Sequence, residues 1–513
     1  MHLSPSNPFN LETIKKTHRM SKAKLFHRWV GLILAPFMVL FALSGIILNH
    51  KDTFDKVPIS RRLLPTHYRF RLWNNQLVAG SIPIASDSLL LYSKNGAFLS
   101  DSMAHRVARI EEGLPNRLNR INDAIKLPNG AIIAALPEGL FTLRNARWHA
   151  LCRANAPIVS LTARGDTLIA VSRSALYVAP PPYTSPQRIL LPPCPGNDGK
   201  VPLFRIVWNL HSGALFWLPG RLFVDLLGLI LIALTVAGVG ITISRTVLRR
   251  RSRRHRNLAR WRIWLRRNYK YHLHIGRLVA LFLLLAITGT CLRPPLLIPL
   301  ALTRVAPPRI TSLASSNPWH DKIRKIAFDP AANDFILSSS EGFFCFANAL
   351  RPSPQKIAAA PPVSVMGCNV LQYADSAWLV GSFSGFYRWH RPSGSIVDAI
   401  TGEPYVKRSG MPTFSGLAAA GYSADFPCGP VVFDYVKGAS PLKPNAAPPA
   451  MPSWLQLEPI SLWNAALEVH TGRIFDKLLG PVAPFFIFIM GSFAIALLAT
   501  GWRRLRRAKK QRR

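Results

Sequence analysis

Four histidines hold matched positions along this chain. His27 lies in Phe26-His27-Arg28-Trp29-Val30-Gly31 and His272 in Tyr271-His272-Leu273-His274-Ile275-Gly276, so each opens a His-x-x-x-Gly string. His211 and His470 begin His211-Ser212-Gly213 and His470-Thr471-Gly472, each preceded by a Trp-Asn pair, Trp208-Asn209 and Trp463-Asn464. A neutral imidazole is a strong metal ligand. Two imidazoles facing each other form the axial set of a low-spin b-type haem, held without a covalent attachment motif. A lone histidine at a membrane surface is commonly only a hydrated side chain; four in repeat register are harder to read that way. His50 and His274 are alternates, although the repeat aligns His50 with Pro294 and gives His274 no partner.

The elements that must position them are apolar spans. A bilayer needs about 20 apolar residues of helix, and four stretches supply them: 29–48, 222–244, 275–292 and 478–502. Apolar residues make up 49% of the 513 and charged residues only 17%, unlike an ordinary soluble protein. The 64 Lys and Arg against 24 Asp and Glu give a formal charge of +40. That charge sits beside the spans. Lys15, Lys16, Arg19, Lys22, Lys24 and Arg28 precede the first; Arg249, Arg250, Arg251, Arg253 and Arg254 lie between the second and third; Arg503, Arg504, Arg506, Arg507, Lys509, Lys510, Arg512 and Arg513 follow the fourth. Short basic loops stay in the cytoplasm, so both termini are expected inside. A nucleic-acid partner is set aside, because it leaves the spans unexplained; such clusters meet anionic lipid.

The expected class is a mixed membrane protein: a four-helix transmembrane bundle from a tandem two-helix repeat, with two large β-rich periplasmic segments. Its parts are a cytoplasmic start (1–26), a first span (27–50), an outer domain (51–210), a second span (211–246), a basic loop (247–270), a third span (271–296), a second outer domain (297–469), a fourth span (470–502) and a basic tail (503–513). The start reads as an uncleaved signal anchor in a bacterial inner membrane. A parallel repeat predicts a pseudo-twofold axis along the membrane normal. His27 then faces His272 on the inner side, and His211 faces His470 on the outer side. Small residues such as Gly31, Gly45, Gly276 and Gly289 would admit a flat macrocycle, and Arg28, Arg277, Arg221 and Arg473 would hold its propionates.

The outer segments carry short apolar runs broken by Gly, Asn, Asp and Pro. A small residue followed by an apolar run recurs at Gly96, Gly139, Ser174, Gly342 and Gly385, with a looser copy at Gly429. Copies within a segment are about 35–45 residues apart, the spacing of a four-stranded propeller blade. Three units per segment would close one six-bladed propeller; two unrelated β domains are the alternative. The six cysteines, Cys152, Cys194, Cys291, Cys345, Cys368 and Cys428, have no C-x-x-C spacing, and their pairing stays open. No dinucleotide fingerprint is present, so electrons must come from elsewhere.

Further strings bear on identity. His27-Arg28-Trp29-Val30-Gly31-Leu32 with Leu43-Ser44-Gly45-Ile46-Ile47-Leu48-Asn49-His50 resembles the first helix of the PepSY-associated transmembrane family. Leu218-Pro219-Gly220-Arg221, Asp225-Leu226-Leu227-Gly228 and His470-Thr471-Gly472-Arg473 are similar to its later helices. The resemblance covers the spans, roughly a quarter of the chain, and the outer segments do not match the family's usual repeat. It implies iron-regulated inner-membrane proteins and siderophore reductases, with two b haems between four helices. The implied partners are membrane lipid, a quinol or other electron donor, and a ferric siderophore. One-electron reduction weakens an iron chelate of hard oxygen ligands, and net-basic outer segments would attract an anionic one. The competing class is a non-enzymatic anchor or sensor whose outer domains bind a ligand or protein. A transporter has little support, since Asp225 is the only acid well within a span.

Overall fold

The computed structural model describes residues 22–116, 118, 120–252, 258–364, 366–406 and 417–510. Lys15, Lys16, Arg19, Arg253, Arg254, Arg512 and Arg513 of the basic clusters lie outside the described residues. The chain forms two compact units, one of 1–50, 201–313 and 466–513, the other of 51–200 and 314–465.

The first unit holds four helical segments long and apolar enough to cross a membrane: Lys22–Asn49, Ala214–Arg250, Ala259–Cys291 and Arg473–Arg503. Each packs on the next and the fourth on the first, closing a four-helix ring. Leu227, Leu234, Val279, Phe282 and Leu498 fill the interior. Outward residues such as Ile33, Leu229 and Val236 are exposed and apolar, as a hydrocarbon surrounding requires. Two features depart from the simplest reading of the spans. The stretch 247–270 is largely helix: the second spanning helix continues to Ser252 and the next begins at Ala259. The stretch contains no Gly or Pro and is rich in Arg, Leu and Trp, which helices accept on either side of 253–257. Second, His211 and His470 end short helices of their own, Leu203–Ser212 and Leu462–His470. Gly213 and Gly472, at φ 76° and 77°, break the chain there before it turns into the spans.

The second unit is built from antiparallel sheets of consecutive strands. Five have four strands and occupy 80–109, 123–153, 158–189, 323–356 and 370–398; the sixth has three, within 419–441. The first strands of these sheets are Gly80–Ala85, Asp123–Lys126, Ile158–Arg164, Ile323–Asp329, Val370–Ala374 and Ala419–Ser423. Each packs on the next, and the last packs on the first. The unit is therefore one six-bladed propeller, three blades from each outer segment.

Six apolar clusters fill the six joints between neighbouring blades. Two of them mix the segments. Phe98 of the first blade meets Phe433 of the sixth, and Ile169 of the third meets Phe335 of the fourth. A polar contact also joins the two segments: the buried Asp123 carboxylate of the second blade accepts from Ser160 Oγ at 2.6 Å, the Leu161 amide at 3.1 Å and, from the fourth blade, Lys325 Nζ at 3.0 Å.

The recurring glycine has a backbone reason. Gly96, Gly139, Gly342 and Gly385 follow two-residue turns and start the third strand, with φ between 117° and 147°. Such angles burden any residue with a Cβ. In the third blade Ala175 takes that place, after Ser174. In the sixth blade the looser copy at Gly429 is misplaced, because it leads into the second strand, Val431–Asp434. The counterpart is Gly438, φ 91°, which opens the third strand Gly438–Pro441. That strand carries no aromatic residue, which hid it in the sequence. All six cysteines are free thiols.

Candidate functional site

The helix ring brings the four matched histidines together in pairs. The ring centroids of His27 and His272 are 6.2 Å apart, and those of His211 and His470 also 6.2 Å. His470 lies against Gly45, which follows His27 by 18 residues of one helix, a rise of about 27 Å. The pairs therefore stand near opposite ends of the bundle.

Every one of the four imidazoles is seated in the same way. His470 Nδ1 donates to Phe41 O at 3.0 Å, His211 Nδ1 to Leu285 O at 3.1 Å, His27 Nδ1 to Leu497 O at 3.2 Å and His272 Nδ1 to Leu234 O at 3.1 Å. In each case a glycine lies four residues beyond the accepting carbonyl: Gly45, Gly289, Gly501 and Gly238. A Cβ on those glycines would stand 3.2, 2.7, 3.4 and 3.2 Å from the histidine Cε1. The missing side chain lets the ring reach a helix carbonyl that a bulkier residue would screen. A hydroxyl precedes three of the glycines, and Ser44, Thr288 and Thr500 lie 3.0, 3.1 and 3.2 Å from the same Nδ1 atoms. At the fourth the residue is Ala237. A carbonyl can only accept, so all four rings carry their proton on Nδ1 and present Nε2 as the base.

The surroundings are roomy at one end. A cavity of about 660 Å³ is lined by His27, His272, Gly238 and Gly501, with Leu231 and Val279 among its apolar walls. Lys24, Arg28, Arg245 and Arg503 also line it, and among the described residues no acidic one does. Among the described residues Arg28 Nε, which is buried, has no hydrogen-bond partner. Arg277, expected beside Arg28, is not part of this lining. At the other end Thr471, next to His470, lines a cavity of about 280 Å³ with Arg293, Arg473 and Asp476.

The alternates are placed elsewhere. His50 Nε2 donates to Asp225 Oδ2 at 2.7 Å, and Asn49 Nδ2 donates to Oδ1 at 2.7 Å. His274 is exposed and its Nδ1 bonds back to Lys270 O of its own helix. Of the glycines expected to face a macrocycle, Gly31 and Gly276 line the larger cavity. Gly45 and Gly289 face the imidazoles, and a Cβ on Gly31 would make ordinary contact with Leu497. Sequence reasoning missed Gly238, Gly501 and the three hydroxyls. Their signal was present: Ser44-Gly45, Thr288-Gly289 and Thr500-Gly501 repeat a hydroxyl-glycine pair inside spans.

A family model for the PepSY-associated TM region matches residues 24–507. The chain belongs to this family. Membership in the PepSY-associated family thus extends over the propeller as well as the spans, wider than the resemblance seen in the helices alone. No curated protein matches the chain. Two crystal structures from B. thetaiotaomicron show a weak likeness at 10% identity, both described as extracellular domains. One is of a one component system (TM-score 0.34, covering 71% of this chain and 32% of that one). The other is of a hybrid two component system (TM-score 0.36, covering 74% and 40%). The chain spans only about a third to two-fifths of those proteins' length. Likeness at these scores carries no inference.

Proposed function

We propose that this protein is a dihaem b-type electron carrier of the bacterial inner membrane. His27 with His272, and His211 with His470, would hold the two haem irons. It takes electrons from a quinol or another donor and delivers them to a periplasmic acceptor, foremost ferric iron in a siderophore. The observation that carries this reading is the spacing of the two pairs. A metal–imidazole bond is about 2.0–2.1 Å and the ring nitrogen lies roughly 1.1 Å from the centroid, so two imidazoles that held one iron between them would have centroids about 6.2–6.4 Å apart. Both pairs meet that requirement.

Other features support it. Carbonyls fix each ring with Nε2 as the base, the tautomer a metal ligand needs. The larger cavity is apolar inside and cationic at its edge, and Arg28 there has an unpaired donor suited to a carboxylate. Held between two imidazoles, a haem supplies reversible one-electron carriage at a potential set by ligands, hydrogen bonds and burial. The chain's own part is to keep each ligand ring in place, to set cations against the propionates, and to exclude water with leucine and valine walls.

The test is direct. Purified protein from cells with adequate iron and haem is expected to carry two haems per chain by pyridine haemochrome. A protein without a Soret band ends this reading. Sidedness rests on the basic clusters. Reporter fusions after Arg513 should report cytoplasm, and fusions at Gly139 or Gly385 should report periplasm; a periplasmic C-terminus would reverse the orientation.

A further inference from the structure

In the propeller, cations from distant parts of the chain stand close enough to act on one another. Lys94 sits in the turn between the second and third strands of the first blade, and Arg173 in the same turn of the third blade. Arg120 precedes Ile121, whose amide donates to Ser93 O beside Lys94 at 2.9 Å. Lys51 packs over the Trp463 ring at 4.7 Å.

The Lys94 and Arg120 side chains are held in place by neutral neighbours. Lys94 Nζ donates to Gln76 Oε1 at 2.6 Å, and Gln76 is itself buried and anchored to Asn369 Oδ1 and Ala420 O. Arg120 Nε donates to Asn122 Oδ1 at 2.8 Å, and Asn122 is tied to Ile158 O. Arg173 pairs with Asp321. Among the described residues Lys51, Lys94 and Arg120 have no carboxylate at ion-pair distance.

These cations repel one another. Burial first, then Arg120 and Lys51, holds the Lys94 ammonium down to about 7, with Asp55 opposing. Burial and then Arg120 lower Lys51 to about 8, again against Asp55. Arg120 is lowered by burial and by Arg173, with Asp55 once more the counterweight. Yet Lys51, Lys94 and Arg173 remain accessible to solvent.

We infer that this cluster is a binding site for a small multivalent oxyanion, a polycarboxylate or phosphate compound, gripped by Lys94, Arg120 and Lys51. Clustered cations held by amides and facing water are costly without an anion, and charge-assisted hydrogen bonds to one are strong. Asp55 is the single acid acting on all three, and Ser461 Oγ, donating at 2.8 Å, holds it.

The full-length protein in detergent would be titrated with citrate and with inorganic phosphate against chloride at equal ionic strength, followed by calorimetry and by thermal unfolding. Citrate should bind, and Lys94→Gln should weaken it roughly tenfold or more, as loss of one charge-assisted bond does. Lys94→Arg should retain binding. Lys94→Gln should unfold, without anion, at or above the wild-type temperature, because it removes a repelled charge. Binding should also take up protons and weaken from about pH 6 to about pH 9, as Lys94 and Lys51 lose theirs. Citrate heats indistinguishable from chloride, or wild-type affinity in Lys94→Gln, would overturn the site. Loss of the citrate response in nanodiscs of anionic lipid, with retention in zwitterionic ones, would give the cluster to lipid headgroups instead. Neither readout involves haem, so this site and the haem reading stand or fall separately.

Discussion

His27→Ala and His272→Ala should each leave one haem of two, with the same surviving spectrum and midpoint potential. His211→Ala and His470→Ala should leave the other haem, with a different spectrum and potential. The pairing dictates this outcome, since one iron needs both rings and the two pairs lie about a bundle's length apart. Seating of the rings sharpens the expectation. Each imidazole fills a notch made by a glycine on a neighbouring helix, so its loss opens a hole without breaking a backbone hydrogen bond. The helices should therefore survive substitution. His50→Ala and His274→Ala should retain both haems, because His50 is engaged by Asp225 and His274 by its own helix. Haem per protein by pyridine haemochrome, with a redox titration of every variant, reads the result. Two haems in the His27 variant, or one in the His50 variant, would refute the assignment.

Residues 51–200 expressed alone should not fold. Cutting the propeller there removes the fourth blade from the third and the sixth from the first. Ile169, Val171, Leu176, Val178 and Leu191 lose their cover at one joint. At about 1.5–3 kcal/mol for each buried side chain, these five alone forfeit roughly 7–15 kcal/mol. A domain's entire stability is about 5–15 kcal/mol. Asp123 also loses the ammonium of Lys325, leaving a buried carboxylate held only by neutral donors. Apolar sheet faces bared at both cuts then invite association with other chains. The product should aggregate or fall to protease, whereas co-expression with 314–465 should rescue part of it. A stable monomeric 51–200 fragment would contradict the closed ring.

The histidine pairs and the propeller were legible in the sequence because both come from repetition. His27 and His272, or the runs after Gly96 and Gly342, repeat local patterns that survive translation along the chain. What was not legible depends on contacts between repeats. The carbonyls of Phe41, Leu285, Leu497 and Leu234 carry no sequence signal, since every residue has one. Glycine signalled close approach at Gly45 and Gly289, yet the approaching group was an imidazole from another helix. Gly438 escaped notice because its strand, unlike the others, ends in Ser440-Pro441. Asp123 and Lys325 lie on different outer segments, and nothing local predicts that they meet.

Closure of the ring from two segments has a consequence for the protein's manufacture. The third blade ends at Ile189 and the fourth begins at Ile323. Between them the ribosome must make roughly 130 residues, which at about 5–20 residues per second takes roughly 7–26 s. For that interval three finished blades wait with Ile158–Arg164 and Gly80–Ala85 open at either side. Further synthesis is needed before Ala419–Ser423 seals the second opening. Any factor that shields the blades' apolar faces in that window would raise the yield of whole protein without touching its final stability.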